Sequence, residues 1–305
     1  MQSRRVSNVP CAAALLLVAI GCGGDASTTP APDDAAVPSD ASTSSNDGGS
    51  PASDAGDSGV VVPRDGAASD AGGSDPGPGP TQMCTVTKDA DGFFKLTSTK
   101  SDYWVRLPPS YSVQSPQPTA LLVAIHGCGD TAYNFATWGA IPNALRATHG
   151  YIGISIGGRD GQCWTIPQDD AIVTEAIAHV RSCFYVHQKK IVLAGYSSGG
   201  MLAYQLGMTS AASFAGILIE HSGLSQGVGG NVDTVLTNAA WKINVAHTAH
   251  TEDASFAIAG VRSDRDKMIA HGFPLQYREG PGDHNGSSDD WALFLIPKMA
   301  SWVAP

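Results

Sequence analysis

The chain has 305 residues and a formal net charge of −10, with 42% hydrophobic and 15% charged residues. Ten Asp and one Arg lie within residues 23–82, so the acidic balance is concentrated there and the rest of the chain is close to neutral. This length allows one domain with a sizeable core, and the nearly neutral remainder argues against a nucleic-acid-binding surface.

The first residues have the features of an export signal. A pair of arginines is followed by an apolar run at residues 12–20, which is too short to span a membrane. The run ends in small residues before Cys22, as in a bacterial lipoprotein, although Ala19 stands where leucine is usual. We predict a signal peptide over residues 1–22 with lipidation at Cys22. The alternative is plain secretion with cleavage nearby.

Residues 23–82 are almost entirely Asp, Ala, Gly, Ser, Pro and Thr, without an aromatic residue. Such a composition cannot bury enough apolar surface to fold, so it predicts a disordered acidic linker. The folded domain is then residues 83–305, held off the membrane by the linker if Cys22 is lipidated. The predicted location is the outer surface of a bacterium or the external medium.

Strand-like and helix-like runs alternate along the folded domain. Strands are predicted at residues 93–97, 103–107, 120–126, 151–156, 191–194, 214–220, 242–250 and 274–278, and helices at 136–148, 169–183, 255–271 and 289–303. This alternation predicts a mostly parallel sheet with helices on both faces. The ligand crevice of such a sheet lies beyond the carboxyl ends of its strands.

Residues 195–199 read Gly-Tyr-Ser-Ser-Gly, between a buried-strand signal and a helix opening at residue 200. G-x-S-x-G in this context is typical of a nucleophile elbow, a strained turn that exposes the middle serine. Glycines at both outer positions leave room for the turn. The pattern predicts Ser197 as a catalytic nucleophile, against the alternative of an ordinary tight turn.

A serine hydroxyl needs a base to accept its proton, and the base needs a partner that fixes its tautomer. In this class of sheet the chain order is serine, acid, histidine, which places the base after the last strand, at His284. The acid is expected after the penultimate strand, where Asp253 is the choice and Glu252 is adjacent. Asp264 and Asp266 lie further along and are interpreted as a solvated helix face.

Three other histidines, His221, His247 and His250, lie near strand ends and are interpreted as structural. His247 and His250 are three residues apart on a predicted strand, so they point to opposite faces. That arrangement argues against a zinc site, and no metal or cofactor is predicted.

The oxyanion formed during acyl transfer needs preorganised N–H donors. One donor is expected from Ser198, directly after the nucleophile. The second is expected from the loop after the strand at 120–126, with Cys128 as the choice and Gly127 or Gly129 as alternatives.

Four cysteines of an exported domain are expected to form two disulfides, although three connectivities are open. Cys128 and Cys163 both follow strands at the predicted active-site edge, so we pair them. Cys84 then pairs with Cys183. A bridge beside the oxyanion loop would stiffen it.

From about residue 103 to its end, the chain resembles the α/β-hydrolase esterases of the feruloyl esterase and polyhydroxybutyrate depolymerase group. The segments that carry the resemblance are Val-Arg-Leu-Pro at 105–108, His-Gly-Cys-Gly-Asp-Thr at 126–131, Arg-Asp-Gly-Gln-Cys-Trp at 159–164, Gly-Tyr-Ser-Ser-Gly-Gly at 195–200, and His284. The resemblance implies an α/β-hydrolase fold and the same triad of Ser197, Asp253 and His284. Two positions depart from the usual pattern: His250 replaces a glycine, and Asn-Gly follows the base where Thr-Trp-Pro is common.

The segment between the strands at 214–220 and 242–250 is short, so we expect no large lid and an open cleft. Trp138, Trp164 and Tyr196 are candidates to line it, with simple packing as the alternative. The predicted function is a serine esterase that works through an acyl-enzyme, similar to feruloyl esterases acting on plant cell-wall polysaccharide esters. The predicted binding partner is an ester substrate, including esters on polymers. Membrane attachment is predicted only through the lipid anchor.

Three alternatives are kept. The first is a polyhydroxybutyrate depolymerase or general short-chain esterase, and the second is a serine peptidase. The third, of another class, is a non-catalytic surface module that binds polysaccharide.

Overall fold

The computed structural model describes residues 60–61 and 75–305. The predicted signal peptide, Cys22 and the greater part of the predicted linker lie outside the described residues. Residues 75–82 run along the domain: the Gln188 N–H donates to the carbonyl of Pro76 at 3.0 Å, and the Thr81 N–H donates to that of Ser182 at 2.9 Å. Backbone contacts with the domain therefore begin before residue 83.

A single sheet forms the centre of the described chain. Its nine strands are β1 (Val60–Val61), β2 (Phe94–Thr97), β3 (Asp102–Arg106), β4 (Thr119–Ile125), β5 (Tyr151–Ile156), β6 (Val186–Tyr196), β7 (Gly216–Glu220), β8 (Asn244–His250) and β9 (Leu275–Gly280). Their order across the sheet is β1-β9-β8-β7-β6-β4-β5-β3-β2. The strands β4 to β9 are parallel, and β1, β2 and β3 are antiparallel additions at the two edges.

The central strand β4 and the second half of β6 are almost entirely apolar and buried because both faces of the sheet are covered there. Successive side chains of a strand point to opposite faces. In β4, Leu121, Val123 and Ile125 enter one buried apolar cluster, whereas Leu122 and Ala124 enter another on the opposite face. Helices contribute to both clusters, which confirms the predicted mostly parallel sheet with helices on both faces.

The helices are α1 (Ala132–Phe135), α2 (Asp170–Cys183), α3 (Ser198–Thr209), α4 (Leu224–Gly227), α5 (Val232–Asn238), α6 (Ile258–Ala270) and α7 (Ile296–Lys298). Wider π-helical turns cover Ala136–Ala140 and Asp290–Leu295, and 3₁₀ turns cover Asn143–Leu145, Ala211–Ser213 and Met299–Ser301. Among the residues that the structure describes, no helix has the length and apolar content that a membrane crossing requires.

Two predicted segments differ from the structure. The helix predicted at 136–148 begins earlier, at Ala132, and its turns stop at Ala140. Ile141 has non-helical angles, φ −139° and ψ 71°, because the ring of the following Pro142 disfavours the helical region. The segment after β7, for which no helix was predicted, contains the short helices α4 and α5, which are too short to leave a clear periodic pattern.

Both predicted disulfides are present. Cys84 is joined to Cys183 at the end of α2, across 99 residues of sequence, and Cys128 is joined to Cys163 across 35 residues. Each closes a long loop, which in the chain-entropy picture stabilises the fold by about 4 kcal/mol.

Candidate active site

Four neighbouring parallel strands deliver polar side chains to one edge of the sheet. Ser197 follows β6, His221 follows β7, Asp253 lies three residues after β8, and His284 lies four residues after β9. Because β9, β8, β7 and β6 are adjacent in that order, their carboxyl ends meet at one edge, and the four side chains converge there.

Ser197 lies on a tight turn between β6 and α3. Its backbone is left-handed, with φ 54° and ψ −120°. A Cβ on Gly195 would lie 2.4 Å from the carbonyl oxygen of Gly199, and a Cβ on Gly199 would lie 2.0 Å from that of Ile125. Only glycine fits at these two positions, so the G-x-S-x-G pattern has a steric cause.

Ser197, His284 and Asp253 form one chain of hydrogen bonds. The Ser197 Oγ lies 2.9 Å from His284 Nε2, and His284 Nδ1 lies 2.8 Å from Asp253 Oδ2. With Nδ1–H donating to the carboxylate, Nε2 is free to accept the serine proton. This geometry permits general-base activation of the serine, with the carboxylate stabilising the imidazolium that results.

The Asp253 carboxylate is buried and accepts four hydrogen bonds. Oδ1 accepts the backbone N–H groups of Ser255 at 2.8 Å and Phe256 at 2.9 Å, and Oδ2 accepts from both His284 and His221. Burial pushes its pKa upward, but these hydrogen bonds outweigh burial and hold the pKa below its ordinary value. The group is therefore ionised at neutral pH.

The other acidic candidates lie apart from this chain. Glu252 and Asp266 are exposed. Asp264 was interpreted as part of a solvated helix face, and that interpretation is wrong: it is 5% exposed, and its Oδ2 accepts the N–H of Ser225 at 2.9 Å. Asp264 faces inward from α6 and secures the start of α4, and its burial raises its pKa.

Two aromatic rings pack nearly parallel to the His284 imidazole. The Tyr196 ring lies 5.5 Å from it and the Phe256 ring 5.6 Å from it, each at an interplanar angle of 28°. The Tyr196 hydroxyl also donates a hydrogen bond to the His284 carbonyl oxygen. These contacts restrict how far the imidazole can turn. Phe256 carried no sequence signal that distinguished it from an ordinary core residue.

The two predicted oxyanion donors, Cys128 on the loop after β4 and Ser198 at the start of α3, lie beside Ser197. A Cβ on Gly127 would come within 3.2 Å of the Ser197 Cβ, so the loop after β4 approaches the nucleophile closely. Ser198 is the first residue of α3, where backbone N–H groups lack partners within the helix. Within the described residues, neither the Cys128 nor the Ser198 N–H donates to another protein group.

The loops after β4 and β5 are tied to each other. Beside the Cys128–Cys163 bridge, the Trp164 Nε1–H donates to the His126 carbonyl at 2.8 Å. The Gly161 N–H also donates to the Asp130 carbonyl at 2.7 Å. Within the β5 loop itself, the Arg159 guanidinium binds the Asp169 carboxylate through two hydrogen bonds of 2.8 and 2.9 Å. The loop after β5 therefore restricts the movement of the oxyanion loop.

The three candidate lining residues have different environments. Trp164 is only 5% exposed and donates its Nε1–H to the His126 carbonyl, which favours the packing alternative, and its role as a lining residue stays a prediction. Tyr196 and Trp138 are partly exposed, with ring centroids 5.3 Å apart. They form an aromatic wall next to His284, and substrate contact there remains a prediction.

Glu220, which sequence reasoning missed, connects the nucleophile to the base. Its carbonyl accepts the Ser197 N–H at 3.1 Å, while its fully buried carboxyl accepts the Ser287 N–H at 2.7 Å and the Trp291 Nε1–H at 2.6 Å. Burial raises its pKa well above the ordinary value. The sequence feature that could have identified Glu220 is its position as the acidic last residue of an otherwise apolar strand.

The remaining histidines near strand ends differ in their partners. His247 is buried with its Nδ1 2.9 Å from the Tyr204 hydroxyl, and burial lowers its pKa to about 3. His250 contacts Asp290, with Nε2 3.2 Å from Oδ2. The contacts of His247 and His250 fit a structural role. His221 differs, because its Nδ1 contacts Asp253, the acid of the hydrogen-bonded chain.

Three sets of side chains among the described residues have atoms close enough to share a cation. In the set of Cys84, His179 and Cys183, both sulfurs are already joined in a disulfide. The other two sets are His221, Asp253 and His284, and His221, His250 and Asp290. Of these two, the first is already the hydrogen-bonded chain, and Asp290 in the second is paired with Arg278. The contacts present account for all three sets, and we assign no metal to them.

No protein-family model and no curated protein matches the sequence. Solved structures are similar in fold. A ferulic acid esterase has a TM-score of 0.52 and 17% identity, covering 63% of this chain and 90% of its own. An S-formylglutathione hydrolase from Staphylococcus aureus has a TM-score of 0.52 and 16% identity, covering 63% of this chain and 91% of its own. A ferulic acid esterase from Anaeromyces mucronatus, in complex with ferulic acid, has a TM-score of 0.53 and 11% identity, and the match covers 66% of this chain and 87% of that esterase. At these identities the likeness concerns the fold, and together with the strand order and the elbow it shows that the chain contains an α/β-hydrolase fold.

Proposed function

We propose that this chain is a serine carboxylic-ester hydrolase that works through an acyl-enzyme. The observation that carries the proposal is the continuous hydrogen-bonded chain from Ser197 Oγ through His284 to Asp253, with distances of 2.9 and 2.8 Å. Its placement on a strained elbow at the carboxyl edge of the sheet supports the same role, because that edge is where ligands bind in such folds.

In the first half-reaction, Ser197 Oγ attacks the ester carbonyl while His284 Nε2 takes its proton. The carbonyl oxygen becomes an oxyanion, which the N–H groups of Ser198 and Cys128 stabilise. Collapse of this intermediate expels the alcohol, which receives the proton from His284. Water then attacks the acyl-enzyme by the same route, releasing the acid and restoring the Ser197 hydroxyl.

For the substrate, we favour esters of aromatic acids on plant cell-wall polysaccharide. One of the structures similar in fold is a ferulic acid esterase bound to ferulic acid, and the wall formed by Trp138 and Tyr196 offers flat apolar surface beside the triad. Polyhydroxybutyrate or short-chain esters are the alternative substrates within the same chemistry. A serine peptidase is a weaker alternative.

The proposal includes export, with lipid attachment at Cys22. The sequence of residues 1–22 supports it, and two disulfides suit an oxidising compartment outside the cytoplasm. Metabolic labelling with a radioactive fatty acid in a bacterial host tests this. We expect label in the wild type and none in Cys22→Ala; equal labelling of both would refute lipidation at this site.

The central test is pre-steady-state hydrolysis of a p-nitrophenyl ester. We expect a burst of one nitrophenol per active site, and a fall in kcat on the order of 10⁵-fold or more in Ser197→Ala. Ser210→Ala, which changes an exposed serine at the far end of α3, is the matched control and should keep wild-type rates. Wild-type rates in Ser197→Ala would show that the nucleophile is wrongly assigned. A folded wild type that neither hydrolyses esters nor reacts with a fluorophosphonate would favour the non-catalytic binding module.

A panel of feruloyl, acetyl-xylan, short-chain and polyhydroxybutyrate substrates separates the substrate alternatives. We expect the highest kcat/KM for the feruloyl ester. Preference for a short-chain ester or for polyhydroxybutyrate would move the assignment to the corresponding alternative without affecting the triad.

A further inference from the structure

His221 has an unusual backbone. In the described chain, the two non-glycine residues with positive φ are Ser197 at 54° and His221 at 50°. The left-handed region is disfavoured for residues with a side chain and persists where the surrounding structure enforces it. The strain at Ser197 belongs to the elbow, so the strain at His221 calls for its own explanation.

The ring of His221 is directed at the triad carboxylate. Its Nδ1 lies 3.0 Å from Asp253 Oδ2, the same oxygen that His284 Nδ1 approaches to 2.8 Å. An ionised carboxylate only accepts hydrogen bonds, so His221 must carry its proton on Nδ1. Its Nε2 has no hydrogen-bond partner among the described residues. Among the described residues, Asp253 is therefore the one hydrogen-bond partner of the His221 ring.

The surroundings keep this imidazole in place. The His221 N–H donates to the Thr248 carbonyl at 3.2 Å, the His250 ring packs perpendicular to the His221 ring at 4.3 Å, and the Tyr196 ring lies 6.0 Å away. The titratable groups around the ring are Asp253, His250, His284, His247 and Tyr196. Burial lowers the pKa of His221, so the ring stays neutral at the pH where His284 must act as a base.

We propose that His221 is a positioning residue for the triad acid, which donates its Nδ1–H to Asp253 Oδ2 and fixes that oxygen toward His284. The inference rests on the proposed function. With two imidazole N–H groups on Oδ2 and two backbone N–H groups on Oδ1, the carboxylate has one orientation that satisfies all four donors. Without His221, Oδ2 keeps a single donor, and the carboxylate can turn away from the geometry that fixes the His284 tautomer.

Two substitutions separate the hydrogen bond from the backbone strain. His221→Asn keeps a side-chain N–H donor and tolerates positive φ better than other residues with a side chain. His221→Gly adopts positive φ freely but has no donor. We expect His221→Gly to lower kcat about 10- to 100-fold, as for loss of one hydrogen bond to a charged group, with KM within about twofold of wild type. His221→Asn should recover the larger part of that loss.

The matched control is His247→Asn. His247 is also a buried histidine, one strand over on β8, but its partner is Tyr204 and not Asp253. We expect a lower Tm with kcat unchanged. This separates a general loss of packing from a specific effect on the triad.

A direct readout is proton NMR of the imidazole N–H groups at low temperature. The wild type should show two strongly deshielded N–H signals, from His221 and His284, and His221→Gly should lose the first and keep the second. Wild-type kcat in His221→Gly, equal losses in the Gly and Asn variants, or a single such signal in the wild type would each overturn the positioning role. None of those results affects the proposed esterase activity, which fails if Ser197→Ala keeps full hydrolysis.

Discussion

The loops that follow β4 and β5 are joined by a covalent bond, whereas those that follow β7, β8 and β9 are held by hydrogen bonds among buried polar groups. On the first side, the Cys128–Cys163 disulfide fixes a backbone N–H that would face the oxyanion. On the second side, Glu220, His221 and Asp253 position the residues that move protons. A backbone N–H that stabilises an oxyanion works best when its position is fixed. The side chains of Ser197 and His284 exchange a proton, so they need neighbours that stabilise each of their charge states.

The largest effect is expected from the proton-transfer side. Asp253→Asn removes the charge that stabilises the imidazolium and allows the wrong His284 tautomer, so kcat should fall on the order of 10⁴-fold. Glu252→Gln changes the exposed neighbour and should leave kcat unchanged. Steady-state ester hydrolysis measures both. If Glu252→Gln lost activity and Asp253→Asn kept it, Glu252 and not Asp253 would be the acid of the triad.

The two disulfides allow a direct test of the covalent side. Replacing Cys128 and Cys163 by serine should lower both stability, by about 4 kcal/mol, and kcat, by about tenfold, because the oxyanion loop loses its brace. Replacing Cys84 and Cys183 should lower stability by a similar amount and leave kcat unchanged, since that bridge joins the domain start to the end of α2. Urea denaturation and initial rates give the two quantities. Equal kcat losses in both double variants would contradict a local role for the first bridge.

The buried Glu220 should make stability depend on pH. Its raised pKa means that the folded protein binds this proton more tightly than the unfolded chain does, whose pKa is near 4.5. The stabilisation is therefore fully present below pH 4.5 and declines as the pH rises toward the folded pKa. Glu220→Gln lacks this dependence, so the free energy of unfolding of the wild type minus that of the variant should fall as the pH rises above 4.5. Urea titrations at a series of pH values measure this difference, and a difference that increases with pH would contradict the expectation.

The smallest expected effect concerns the aromatic wall. Trp138→Ala should raise KM for a feruloyl ester by about tenfold, the equivalent of roughly 1.4 kcal/mol of lost apolar contact. KM for an acetyl ester should change little, because an acetyl group is too small to reach the wall. The Trp138 Nε1–H also donates to Asp130 Oδ2, at 3.1 Å, on the oxyanion loop after β4. An equal change in KM for both esters would indicate that Trp138 supports this loop without touching substrate.

The strongly patterned parts of the fold were predictable. The elbow at 195–199 and the parallel strands followed from local patterns. The Cys128–Cys163 pairing followed from two strand ends at one edge of the sheet, and Cys84–Cys183 was the pair that remained. The helix after β4 was misplaced because a π-helical turn and Pro142 disturb the periodicity there. The burial of Asp264 was missed because its partner, Ser225, is distant in sequence.

The polar supports of the candidate site were the least predictable part. The strand-end position of His221 was visible in the sequence, but its contact with Asp253 depends on the spatial adjacency of β7 and β8 and on a left-handed backbone. Glu220 has the same difficulty, since its partners Ser287 and Trp291 follow the last strand. Long-range hydrogen bonds of this kind leave no periodic signal in a single sequence.

Reaction of the purified protein with a fluorophosphonate, followed by mass spectrometry of its peptides, shows directly whether Ser197 is the nucleophile. We expect one phosphonyl group per chain, attached to the Ser197 oxygen and absent from Ser197→Ala. A folded protein that takes up no label, or that carries it on a different residue, would contradict the account.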